Sequence, residues 1–480
     1  MKKNIGISIS NLGRVTNASI DLKPLTIFIG PNNTGKTWSA YAIYAIFHED
    51  FIRKTVEKTL NKSILKNLLD KCAKDLVKHN KAKINFSAIH EHLDINKNFG
   101  KDFKKYFSKF MKCDPKYFDK LKISLDYDTA TVRNKFLEAD ISIGADILLI
   151  KKEKKIGDSP SINLNKEKRS DELILSVSNP GSIDKDIDKE DYFKRNVPSF
   201  IKLILEFGLK SFFYERLFVF PPERTALTYM SDDLVYKKIE RLSEFEGKIS
   251  DREIYEKLDY EKLFYSKPIL DYIKLIRQIK NISLSENIHK RRTGSKFAKL
   301  ASILEKDVLS GKVSITKDEL NSRFIYEFGN KKLDLTTTSS MVKDLAIFSL
   351  YLRYVAEKGD LVIIDEPEMS LHPEAQAKLI ELVCISVNRG IKFIITTHTP
   401  YIVDHLTNLI SAHNSNNKDE IEKEFFLKNR ESFLPPDSLG VYLFGEDGEV
   451  SDVFDRKENT INWGTFGKVT QKIANLYFKL

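Results

Sequence analysis

The chain has 480 residues, 41% hydrophobic and 30% charged, the proportions of a globular protein of two or three domains and not of a disordered or membrane-embedded one. No apolar run approaches the roughly 18 residues of a membrane span, and Met1-Lys2-Lys3-Asn4-Ile5-Gly6 lacks a signal-peptide core, so no membrane partner and a cytoplasmic location are expected. The net charge is +10, and Cys72, Cys113 and Cys384 stand too far apart for a metal-ligand pattern, which suits reduced structural thiols.

Three short strands are expected first, Ile7–Ser10, Val15–Leu22 and Leu25–Ile29, separated by turns at Asn11-Leu12-Gly13 and Lys23-Pro24. The third runs into Gly30-Pro31-Asn32-Asn33-Thr34-Gly35-Lys36-Thr37, followed by a helical pattern over Trp38–Phe47. Strand, glycine-rich turn and helix are the setting of a phosphate-binding P-loop. Such a loop wraps phosphate oxygens in backbone N–H groups at a helix N-terminus, which requires little Cβ obstruction. Gly30 and Gly35 allow the approach, and Asn33 tolerates left-handed backbone angles. Lys36 suits the β- and γ-phosphates of ATP, and the Thr37 hydroxyl suits Mg²⁺.

Residues 51–120 read as helical and hold 18 Lys and Arg against 8 Asp and Glu, a surplus equal to that of the whole chain. Such a basic arm fits an acidic partner, nucleic acid or an acidic protein surface; a solvated lysine-rich face accounts for it equally well. The period then changes, with strands expected at 122–127, Ile141–Ile143 and Leu173–Val177, and a mobile polar loop within Lys151–Asp191. A helix over Pro198–Phe213 leads to a buried strand, Leu217–Phe220, which ends in Pro221-Pro222-Glu223-Arg224-Thr225. Residues 230–310 again look helical and carry the basic cluster His289-Lys290-Arg291-Arg292, read as a solvated loop.

The C-terminal third complements the P-loop. Thr336-Thr337-Thr338-Ser339-Ser340-Met341 opens a helix expected over Val342–Glu357, where hydroxyls and free N–H groups can form an anion site. Leu361-Val362-Ile363-Ile364-Asp365-Glu366 is an apolar strand ending in two acids, a Walker B pattern in which Asp365 suits Mg²⁺ and Glu366 suits orienting or deprotonating water. Pro367-Glu368-Met369-Ser370-Leu371-His372 leads into a helix over Pro373–Asn388, closed by Gly390. A second buried strand, Ile391–Thr396, ends at Thr397-His398-Thr399-Pro400, which places His398 where α/β sheets bind ligands. The tail reads as a strand pair around Gly445–Gly448 and a helix over 466–476; the acids Glu446, Asp447, Glu449, Asp452 and Asp455 are taken as a solvated hairpin.

Taken in this order, the motifs resemble the ABC-type ATPase heads of the SMC, RecF and OLD group. Ser339-Ser340-Met341-Val342, Ile364-Asp365-Glu366-Pro367-Glu368 and Leu371-His372-Pro373-Glu374-Ala375-Gln376 resemble most closely the standalone ATPases of antiphage systems such as PARIS, Septu and retron-linked modules. The resemblance implies an α/β fold, an ABC-type P-loop ATPase head with a large, mostly helical insertion. The head would comprise residues 1–50 and 331–480, the inserted arm or lid 51–216, and a strand return with a helical subdomain 217–330. It implies heads that pair and sandwich ATP, as a dimer or a multiple of dimers. Ser339, with Ser340 beside it, would then contact the γ-phosphate held by a second subunit, and His398 would sense it.

Met341 stands where most such signatures carry glycine, and no glutamine occurs between Thr37 and Gln278 where the family places one near the metal. The Glu223-Arg224 turn is the candidate replacement. OLD enzymes continue into a Toprim nuclease domain, whereas about seventy residues follow Leu409 here, fewer than a typical domain, so no intrinsic nuclease is expected. The leading expectation is a slow, assembly-dependent ATPase that acts as sensor and scaffold of an antiphage system and controls a separately encoded nuclease or toxin. The alternative is a DNA-repair or chromosome-maintenance ATPase that clamps DNA.

Overall fold

A computed structural model describes residues 5–91, 100–138, 141–146, 161–179, 188–228, 265–284, 295–317 and 322–464, with a few isolated positions besides. The chain divides into two compact units, one of 46–103 and 124–215 with the first three residues, the other of 4–45, 104–123 and 216–480. The basic segment 51–120 is thus shared between them.

In the larger unit, β1 (Ile5–Leu12) and β2 (Val15–Leu22) form an antiparallel hairpin. They are followed by β3 (Leu25–Ile29), α1 (Lys36–Phe47) and β4 (Leu217–Phe220). Next come α2 (Ser340–Tyr354), β5 (Leu361–Asp365), α3 (Pro373–Asn388), β6 (Lys392–Thr396) and α4 (Pro400–Asn414). The tail adds β7 (Leu439–Phe444) and β8 (Glu449–Asp452). These strands lie in the order β1-β2-β8-β7-β3-β6-β5-β4. From β7 to β4 every pairing is parallel.

Parallel strands are buried on both faces and so read as continuous apolar runs. All five residues of β3 and all five of β5 are buried. The parallel arrangement brings the C-terminal ends of β3, β5 and β6 to one edge, with Ile29, Asp365 and Thr396 as their last residues. The P-loop and the segments after Asp365 and Thr396, read above as the nucleotide site, start there. The strand pair expected around Gly445–Gly448 is present, β7 pairing antiparallel with β8. The structure sets β7 directly beside the phosphate-loop strand, with Val441 opposite Ile27, while Glu446, Asp447 and Glu449 are exposed in the turn and strand that follow.

The smaller unit holds helices Glu49–Leu60, Ser63–His79 and Lys189–Phe213 and a four-stranded antiparallel sheet. One of its strands corrects the reading above and another adds to it. Lys81–Asn85 interrupts the stretch expected to be wholly helical, with Ala82 and Ile84 buried and Lys81, Lys83 and Asn85 exposed. Ser161–Lys166 lies within Lys151–Asp191, where part of the chain was expected as a mobile loop and no strand was placed before Leu173, and it pairs with Glu172–Ser178. Alternation is the strand signal in both, but the partner of Lys81–Asn85 is Glu172–Ser178, some ninety residues away. The cluster 289–292 and nearly all of the closing helix expected over 466–476 lie outside the described residues. The three cysteines are free thiols, and no described helix is long and apolar enough to cross a membrane.

Candidate functional site

Gly30 and Gly35 have φ of 138° and 97°, and Asn33 sits at 63°, so the loop from β3 to α1 uses the left-handed region three times. Space matters as much as angle here. A Cβ on Gly30 would collide with the carbonyl oxygen of Phe444 in β7, and one on Gly35 would stand 2.6 Å from Val15 Cγ2. The loop surrounds a cavity of about 500 Å³ lined by Asn32, Asn33, Thr34, Gly35, Lys36, Thr37, Trp38, Glu366 and His398. Thr34 Oγ1 donates to the Pro31 carbonyl at 2.9 Å and closes the turn. Lys36 is 5% exposed, and its ammonium donates to the carbonyls of Gly30 at 2.8 Å and Pro31 at 2.7 Å. Burial lowers its pKa, opposed by Glu366, Asp365 and Glu368.

The ends of β5 and β6 supply the acidic side. Thr37 Oγ1 donates to Asp365 Oδ1 at 3.0 Å, joining residues 328 positions apart, and Thr396 Oγ1 donates to the same oxygen. Asp365 is fully buried; burial raises its pKa to about 6 against these two hydrogen bonds, and among the described residues Oδ2 has no hydrogen-bond partner. A hydroxyl and a carboxylate with a spare buried oxygen beside a phosphate cradle form a hard donor set that fits Mg²⁺.

Glu366 Oε1 stands 3.7 Å from His398 Nδ1, and Glu368 Oε1 stands 3.4 Å from the same nitrogen. The imidazole holds the Glu366 carboxyl below its usual range, while Glu366 and Glu368 raise the His398 pKa against the cost of burial. Glu368 is anchored by Thr397 Oγ1 at 2.6 Å and the His398 N–H at 2.9 Å.

A family model described as "AAA ATPase domain" matches residues 3–403. The chain belongs to this family of ATPase domains. Its fold is accordingly that of an α/β P-loop ATPase. No curated protein matches the chain. Similar solved structures include an Smc head bound to the C-terminal winged-helix domain of ScpA, at 11% identity and TM-score 0.34, covering 93% of this chain and 96% of that one. Another is an Smc head with an extended coiled coil bound to the C-terminal domain of ScpA derived from Pyrococcus furiosus, at 12% identity and TM-score 0.32, covering 98% of each.

In this ATPase domain Ser339 caps α2, its Oγ accepting from the Val342 N–H at 3.4 Å. Ser339 and Ser340 are exposed, and neither lines the cavity. Arg224, considered above as a group near metal and water, is 2% exposed and does not line the cavity either. Its guanidinium turns to main-chain carbonyls behind the site. Sequence reasoning passed over Trp38, which lines the cavity and rests against Phe118 at 5.6 Å, and Thr396, whose hydroxyl fixes Asp365. A threonine ending a buried strand carries a signal only once that strand is known to lie beside β5.

Proposed function

We propose that the chain binds ATP with Mg²⁺ in the 500 Å³ cavity and hydrolyses it when two copies pair, each supplying Ser339 to the other's nucleotide. The observation that carries this is the Thr37–Asp365 contact, with a buried, unpartnered Asp365 oxygen next to a phosphate cradle. Lys36 would exchange its two carbonyl partners for β- and γ-phosphate oxygens. Thr37 and Asp365 would hold Mg²⁺, which neutralises charge developing on the phosphates. Glu366 would orient and deprotonate the attacking water, and His398, raised in pKa by that same glutamate, would donate to the γ-phosphate. Ser339 and Ser340 head a helix at the surface and lie off the cavity, which supports their use across a pair.

Complementation tests the pairing. Lys36→Ala removes the cradle and Ser339→Arg blocks the exposed helix start, so each variant alone is expected to be inactive. Mixed, they regain one intact composite site per heterodimer and about half the turnover of that heterodimer's wild-type counterpart. A mixture as inactive as its components would sink the idea.

We further propose, from the likeness of Ser339–Val342 and Leu371–Gln376 to the antiphage ATPases, that the nucleotide state controls a separately encoded effector nuclease or toxin. Co-purification with such a protein, released or tightened by ATP, is the expected result. The DNA-clamping alternative draws on the basic segment 51–120, with 18 Lys and Arg against 8 Asp and Glu. DNA affinity that falls steeply with salt and is lost when the lysines of this segment become glutamine would favour it.

A further inference from the structure

Arg224 follows β4 on a short turn, is 2% exposed, and lines a small cavity together with Phe220, Leu345, Phe348, Ile364, Leu379 and Val383. A guanidinium in such surroundings is costly to bury unless its hydrogen bonds are met, and an apolar side chain would fill the space at less cost. Its bonds are specific. Nη1 donates to the Asp365 carbonyl and Nη2 to the Glu366 carbonyl, both at 2.7 Å. Nε lies 4.0 Å from Asp344 Oδ1, which also accepts from Thr225 Oγ1. Asp344 is one turn into α2, the helix that Ser339 caps.

The backbone held in this way is unusual. Glu366 has φ 47°, a left-handed conformation that a non-glycine residue keeps only when its surroundings enforce it. Its N–H is taken by the Thr396 carbonyl and hydroxyl, both at 3.1 Å, and its carbonyl by Arg224. That twist brings the Glu366 side chain to the cavity, while the Asp365 side chain meets Thr37.

We infer that Arg224 is a positioning residue for ATP hydrolysis: its guanidinium fixes the twisted Asp365–Glu366 backbone and, through Asp344, ties it to the helix that presents Ser339. The inference rests on the ATPase reading above and adds a connection between the two halves of the composite site. In each subunit the water-activating glutamate and the serine offered to the partner are anchored to one buried side chain. A shift of α2 on pairing therefore acts on Glu366 through Arg224.

The test compares Arg224→Lys with wild type in ATP affinity and single-turnover hydrolysis. An ammonium cannot span two carbonyls as a guanidinium does. Hydrolysis is expected to fall about 10–100-fold, the loss of one charge-assisted hydrogen bond, with the ATP Kd changed less than about 3-fold. Combining Arg224→Lys with Glu366→Gln separates positioning from general damage. With the Glu366 carboxylate gone, the lysine is expected to cost less than about 2-fold more, because both changes remove one function. Hydrolysis by Arg224→Lys within about 2-fold of wild type, a parallel loss of affinity, or multiplicative losses in the double variant would each overturn the inference.

Where Arg224→Lys does not fold, Asp344→Asn keeps both carbonyl bonds and loosens the tie to α2. It is expected to slow hydrolysis about 2–10-fold at unchanged Kd, and unchanged hydrolysis would overturn the connection. A wild-type chain whose turnover matches that of Glu366→Gln sinks the ATPase reading itself, an outcome visible without any Arg224 variant.

Discussion

The two units use charge in opposite ways. In the nucleotide-binding unit Arg353 and Glu305 pair with only 7% exposure each, and Glu305 also accepts from Ser349 Oγ and the Val313 N–H, both at 3.0 Å. Asp360 there is fully buried and receives two hydrogen bonds of 2.8 Å from Arg216 and one of 2.7 Å from Tyr351. In the smaller unit two of the pairs are well solvated. Lys83–Glu172 is 57% and 49% exposed, and Arg195–Asp191 is 75% and 51% exposed. Its interior holds Leu65, Leu69, Cys72 and Leu76 on one helix and Val197, Ile201, Ile204 and Leu205 on another, and the buried ammonium of Lys166 meets main-chain carbonyls. Buried ion pairs hold a geometry, whereas solvated ones contribute little and leave stability to apolar contact. The unit proposed to hold Mg²⁺ on Asp365 and to activate water with Glu366 is the one that carries these buried pairs.

The contrast can be broken at several points. Glu366→Gln is expected to lower single-turnover hydrolysis by roughly 10²–10⁴-fold while ATP still binds, as the loss of a general base does. An equal fall in affinity would show that the residue shapes the cavity and does not act on water. Arg353→Ala, which leaves Glu305 buried without its partner, is expected to cost about 3–5 kcal/mol in denaturant unfolding of the nucleotide-binding unit. A loss below about 1 kcal/mol would remove the distinction between the units. Leu76→Ala, at a fully buried position of the smaller unit, is expected to cost about 2–5 kcal/mol in the same measurement, its size set by how far the neighbours close in. Lys83→Ala should change stability by no more than about 1 kcal/mol, and that small effect should vanish at high salt.

How far the sequence could be read followed how local each requirement is. The glycines at 30 and 35, the Lys36-Thr37 pair and the apolar run before Asp365-Glu366 each answer a demand met within a few residues. Their elements lie where pattern alone puts them, with β3 over Leu25–Ile29 and α3 over Pro373–Asn388 as expected. Lys81–Asn85 and Ser161–Lys166 were missed because a short strand amid lysines or asparagines gains its identity from a distant partner. Arg224 was singled out for its place after a buried strand, yet the carbonyls it holds lie 141 and 142 residues further along.

The sequence by itself determined the inventory of groups: a glycine-rich turn with a lysine and a threonine, two acids ending an apolar strand, and a histidine further along the chain. Only the tertiary structure decided which of these meet. Thr37 finds Asp365 because β3 and β5 lie on either side of β6 in one parallel sheet and end at the same edge. Gly30 is bound by a neighbour as well as by phosphate chemistry, since β7 passes so close that a side chain there would strike Phe444. Such contacts depend on strand order, which is settled by the packing of apolar faces and the parallel register from β7 to β4, and no local stretch of residues encodes it.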